Sequence, residues 1–183
     1  MTSLGRVEGE LLVQRLGEGR FIGYLPNAST RPDTLRLVGG DRGARAASVA
    51  AALESAIGDE PDARVLLVGH AQGGVTAAEI AAAAASERFT IDQVITAGAP
   101  SAQVPRIPDS TTVLALEDRA DPVALLGSLI NAGVANRLTV VFDGGATRGT
   151  AAYVAGGRAA DAAGHPELRA AIRRIQELGY LSA

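Results

Sequence analysis

The sequence predicts an α/β fold, a three-layer sandwich built on a mostly parallel sheet. Three observations carry the prediction. Short aliphatic runs alternate with Ala-rich stretches of helical length along most of the chain. The run Val65-Leu66-Leu67-Val68 is continuously apolar, as a strand covered on both faces has to be. A glycine-rich turn, Gly69-His70-Ala71-Gln72-Gly73-Gly74, carries that strand directly into an Ala-rich helical run.

The elements follow in order. Glu10 to Gln14 and Arg20 to Leu25 read as two strands separated by Gly17-Glu18-Gly19. Pro26 to Gly40 is loop-like, with two prolines and Asn27, Ser29 and Thr30. Ala44 to Ile57 is a helix, with Val49, Leu53 and Ile57 spaced by four. Val65 to Val68 is the buried strand, and Val75 to Ala85 is the helix after the turn. Gln93 to Gly98 is a strand ending in Gly98-Ala99-Pro100. Thr112 to Leu116 is another, with Glu117 to Pro122 as the loop that follows. Leu138 to Phe142 is the last strand. Thr150 to Ala163 is helical but weakened by Gly156-Gly157. Pro166 to Leu178 is the closing helix, with proline in its first turn. No repeat or linker divides the chain, so residues 1–183 are expected to form one domain.

Composition narrows the class. A chain of 183 residues can bury a sizeable core. No apolar run approaches the ~18 residues of a membrane span. No apolar signal core follows Met1, so a cytoplasmic protein is expected. Without cysteine there are no disulfides or thiolate metal sites, and neither a metal nor a cofactor is expected. A net charge of −3 and the lack of a basic run argue against nucleic acid. All 17 basic residues are arginine, and alanine is abundant, a bias of high-GC coding.

The turn at 69–74 carries the chemistry. A sharp strand-to-helix turn of the form G-x-S-x-G presents a nucleophilic serine. Small residues flank the nucleophile because strand and helix start nearly touch there. The N–H of the next residue, here Gln72, points at the oxyanion site, and the helix N-terminus adds partial positive charge. In this chain the pattern reads Gly69-His70-Ala71-Gln72-Gly73. The backbone apparatus is intact, but the nucleophile position holds alanine.

On these residues the chain resembles the α/β-hydrolase family, in particular its small, lidless, esterase-like members from high-GC bacteria. The resemblance extends over roughly residues 20 to 180, with the turn as its most specific part. It implies a triad in the order nucleophile, acid, histidine. The acid belongs on the loop after the strand of 112–116, where Asp121 precedes Pro122 and Asp118 is its near competitor; an ordinary Asp-Pro turn is the other reading of Asp121. The histidine belongs on the loop 143–149, which has none. By the resemblance it should stand about five residues before a tyrosine, and counting back from Tyr153 lands on Arg148. Of the two histidines, His70 belongs to the turn and is expected to pack beneath it. His165 is either the triad base or a helix-start residue. The family's second oxyanion donor comes from the loop Pro26-Asn27-Ala28, and Ser101 could line the same mouth.

Three functions stay open. The chain is a catalytically impaired homologue with Ala71 at the nucleophile position, binding a small ester, carboxylate or partner protein through Asn27, Ala28, Gln72, Ser101 and Arg148. Alternatively it is a serine esterase whose nucleophile was replaced, with Asp121 and His165 completing the triad. Or it is a lyase or cyclase using the same pocket, for which Asp121 is the plausible base.

Overall fold

In the computed structural model the described residues are 3–7, 11–27, 41–83, 86–100, 106–121, 134–145, 147 and 149–182. Among these residues seven strands form one sheet in simple chain order: β1 (Ser3–Val7), β2 (Leu11–Gly17), β3 (Arg20–Leu25), β4 (Ala63–His70), β5 (Phe89–Ala97), β6 (Thr112–Asp118) and β7 (Arg137–Phe142). β1, β2 and β3 pair antiparallel, and β3 to β7 are parallel throughout. Helices α1 (Asp41–Ile57), α2 (Gln72–Ala82), α3 (Thr150–Ala163) and α4 (Pro166–Glu177) pack around it. The architecture is thus the mostly parallel α/β sandwich anticipated from the alternation of elements.

Side-chain alternation along the strands builds the three layers. Phe21, Val65, Leu67, Val94 and Val113 join Val49, Leu53 and Ile57 of α1 and Ala77 and Ile80 of α2 in one core. Their immediate neighbours Ile22, Leu66 and Leu114 face the other way, onto Leu168 and Ile175 of α4 and Tyr180. A strand moving to its parallel neighbour crosses right-handedly. With strands added in one direction, α1 and α2 therefore share a face, and the C-terminal helices take the other.

Several boundaries differ from the sequence reading. β1 was not anticipated, because a five-residue strand with two polar residues and a glycine has almost no periodicity to read. α2 begins at Gln72, directly at the turn, and α1 begins at Asp41. β5 begins at Phe89, since Phe89, Thr90 and Ile91 pair with Ala63, Arg64 and Val65. β6 runs on to Asp118, so Glu117 and Asp118 are buried strand residues and not loop, 1% and 4% exposed. Gly156-Gly157 does not weaken α3, which is unbroken from Thr150 to Ala163. Gly156 is the point of contact: a Cβ there would lie 2.5 Å from the Phe142 ring.

One irregularity organises the end of the sheet remote from the turn. The β4–β5 register jumps across Asp92, with Val65 opposite Ile91 and Leu66 opposite Gln93. Such a bulge re-aims the extra side chain. Asp92, 4% exposed, accepts hydrogen bonds from Arg64 Nε at 2.8 Å and from the Tyr180 hydroxyl at 2.8 Å. Arg20 Nε donates to the Leu178 carbonyl. The segment after α4 is therefore bound to the N-terminal ends of β3, β4 and β5.

Candidate functional site

The turn after β4 is held by sterics that only glycine satisfies. A Cβ on Gly69 would lie 2.4 Å from the Gly73 carbonyl oxygen, and one on Gly73 would lie 2.2 Å from the Leu25 oxygen. A Cβ on Gly74 would meet the Ala99 Cβ at 2.7 Å. The end of β3, the end of β4 and the start of α2 are packed backbone on backbone. Between them Ala71 takes φ 49° and ψ −117°, a region that side chains other than glycine avoid. Its N–H donates to the Ala97 carbonyl at 2.9 Å, and its own carbonyl accepts from Gly74 at 3.0 Å. The strain is imposed from both sides and persists although residue 71 carries only a methyl group.

The Gln72 N–H points out of this turn and donates to Asn27 Oδ1 at 3.4 Å. This is a long hydrogen bond. A ligand oxygen seeking that N–H would displace the Asn27 carboxamide. Asn27 thus meets Gln72 as an acceptor, where the resemblance implied a donor loop. Ala28, Ser101 and Arg148 lie outside the described residues.

Asp121 sits in the turn beyond β6, two strands across from Ala71 at the same C-terminal edge of the sheet. Its N–H donates to the Asp118 carbonyl at 2.9 Å. Asp118 is structural: its Oδ1 accepts from Ala120 N–H at 2.9 Å and Gly144 N–H at 3.1 Å, joining the turns after β6 and β7. The sequence placed Asp118 and Asp121 as competitors; the Asp118 carboxylate is engaged by the backbone of both turns.

Tyr153, in the first turn of α3, is the site residue that the reading underused. Its ring packs edge-on against His70 at 5.5 Å and Phe142 at 5.4 Å. Its hydroxyl is buried against Gly98, where a Cβ would come within 2.3 Å of it. Burial raises the Tyr153 pKa above the ordinary tyrosine value, partly opposed by the Asp118 backbone; the negative charges of Asp121, Asp118 and Glu117 add to the rise. The sequence signal was the glycine at position 98, whose missing Cβ leaves room for a large side chain from elsewhere.

His165 is not brought to this edge. α3, Thr150–Ala163, carries Tyr153 in its first turn and runs on from it to Ala163, which at the α-helical rise is about 15 Å. His165 then caps α4 in an extended conformation and is exposed. Among the described residues no hydrogen bond joins it to Asp121. The histidine that does lie beside Ala71 is His70, whose ring faces Tyr153. Among the described residues no three His, Asp or Glu side chains converge on a metal position. No helix there is long and apolar enough to cross a membrane.

No protein-family model, curated protein or solved structure matches this chain.

Proposed function

We propose that the chain is a catalytically silent, esterase-like α/β-hydrolase homologue that holds a small ester or carboxylate above Ala71 without turning it over. The observation that carries the reading is the backbone of Ala71: φ 49°, ψ −117°, enforced by Gly69, Gly73 and Gly74. Such outliers cost about 1–3 kcal/mol and persist where the surroundings over-determine them, typically at functional sites. The geometry that exposes a nucleophile is kept while the nucleophile is absent. Gln72 N–H and the α2 N-terminus supply the positive end that would hold a carbonyl or carboxylate oxygen. The position of His165 beyond the far end of α3 supports silence over a lost serine alone. A residual acid–base reaction would fall to Asp121, since the neighbouring Tyr153 phenol stays protonated at neutral pH.

Initial rates with p-nitrophenyl acetate and butyrate test it. The native chain is expected to remain at background, because loss of a covalent nucleophile costs orders of magnitude. Ala71→Ser is expected to stay largely unreactive toward a fluorophosphonate, for want of a base. Saturable turnover by the native chain that disappears on Asp121→Asn overturns the reading. Labelling of Ala71→Ser within minutes, abolished by His165→Ala, establishes the replaced-serine esterase instead.

A further inference from the structure

A second site lies on the opposite face of the sheet from α1 and α2. Between α3 and α4 a cleft of about 380 Å³ opens over β5 and β6. Ile95, Leu114 and Leu116 form its floor, and Leu168 and Ile172 of α4 form one wall. The other wall is α3, whose apolar contribution is limited to Gly157 and Ala160, with Asp161 beside them. The cleft exists because α3 has nothing to fill it with. Its buried residues are Ala152 and Gly156, and its one large aliphatic side chain, Val154, is 51% exposed on the outer surface. A Cβ on Gly157 would meet nothing within 4 Å. Close approach at Gly156 sets the helix against Phe142, and the small residues one turn later leave the gap.

The charge at the opening is specific. Arg169 and Arg173 both line the cleft and are exposed, one helical turn apart on α4. Like charges at this spacing repel. Among the described residues neither has an ion-pair partner. The Arg169 guanidinium lies against Gly164, the left-handed cap at the end of α3. Asp161 is the carboxylate that lines the cleft, so two guanidiniums face one acid, with His165 and Gln176 as further polar groups. The volume is within the range of small-molecule sites, which are mostly apolar with a few convergent polar groups.

We propose that this cleft binds an amphipathic carboxylate, its alkyl chain on Ile95, Leu114, Leu116 and Ile172 and its carboxylate between Arg169 and Arg173. A guanidinium fork matches a carboxylate in two hydrogen bonds, and an anion between the two arginines relieves their repulsion. The site is separate from Ala71 and stands whether or not the chain hydrolyses esters.

The probe is dodecanoate, titrated by calorimetry below its micellar concentration. The native chain is expected to bind one equivalent saturably, and dodecyltrimethylammonium, with the same chain and opposite charge, is expected not to bind. Gly157→Leu places a side chain in the open space and should weaken dodecanoate at least tenfold with the melting transition retained; Ala160→Leu does the same from the next turn should the first variant fail to fold. Replacing Arg169 and Arg173 together by glutamate should weaken dodecanoate at least tenfold and leave dodecanol within twofold. Absence of saturable binding, unchanged affinity in the folded cleft-filling variant, or equal binding of the cationic amphiphile overturns the proposal.

Discussion

Tyr180→Phe isolates one hydroxyl and tests how the end of the chain is held. Tyr180 is 3% exposed and packs with Ile22, Leu66 and Ile175, which phenylalanine preserves. What is lost is the hydrogen bond to Asp92, 2.8 Å long and 88 residues distant in sequence. Hydrogen bonds to charged groups contribute about 1.5–3 kcal/mol. Asp92 keeps its pairing with Arg64, so no buried carboxylate is stranded. The expected loss is about 2 kcal/mol, or about 4–8 °C in Tm for a domain of this size. The same residue sets an alkaline signature. Burial first, then the Asp92 hydrogen bond and charge, hold the Tyr180 pKa far above its ordinary value of 10.0. Below about pH 10 the phenol is protonated in both states and its contribution is fully present. Above that, the unfolded chain releases the proton and the folded chain does not, so stability falls by about 1.4 kcal/mol per pH unit for this group. Urea unfolding of both proteins at pH 7.5 and at steps above pH 10 measures both effects. The variant should start lower and fall with a shallower slope. A variant within about 0.5 kcal/mol of the parent, the range of a neutral surface change, with an identical alkaline slope, refutes the reasoning.

Two further perturbations invert the usual sign of a substitution. Ala71→Gly should stabilise the chain by about 1 kcal/mol in urea unfolding, because relief of the positive φ (strain of about 1–3 kcal/mol) exceeds the extra entropy of glycine; destabilisation would show that the turn is unstrained. The adjacent glycines of α3 should respond oppositely to alanine, followed by thermal melts. Gly157→Ala, facing open space, should gain about 0.5–1 kcal/mol, whereas Gly156→Ala, with a Cβ 2.5 Å from the Phe142 ring, should lose about 1–3 kcal/mol.

Local rules on their own determined a large part of this molecule. The apolar run of β4, the glycines at 69, 73 and 74, and the Ala-rich start of α2 declared a strand, a tight turn and a helix, because the steric demand acts within a few residues. Pro166 likewise marked where α4 starts, through its fixed φ. The alanine at the centre of that turn was visible for the same reason. Only the tertiary structure decided the rest. Asp92 became a buried acceptor because a register jump between β4 and β5 turned it toward Tyr180 and Arg64. Glu117 and Asp118 became strand residues because β7 pairs with them. The Gln72 N–H met Asn27, 45 residues away, and His165 was carried off by the length of α3. The cleft beside Gly157 is a property of two helices and a sheet face together. Each of these depends on partners far apart in the chain, whose meeting is set by packing and register and leaves no periodic trace in either segment.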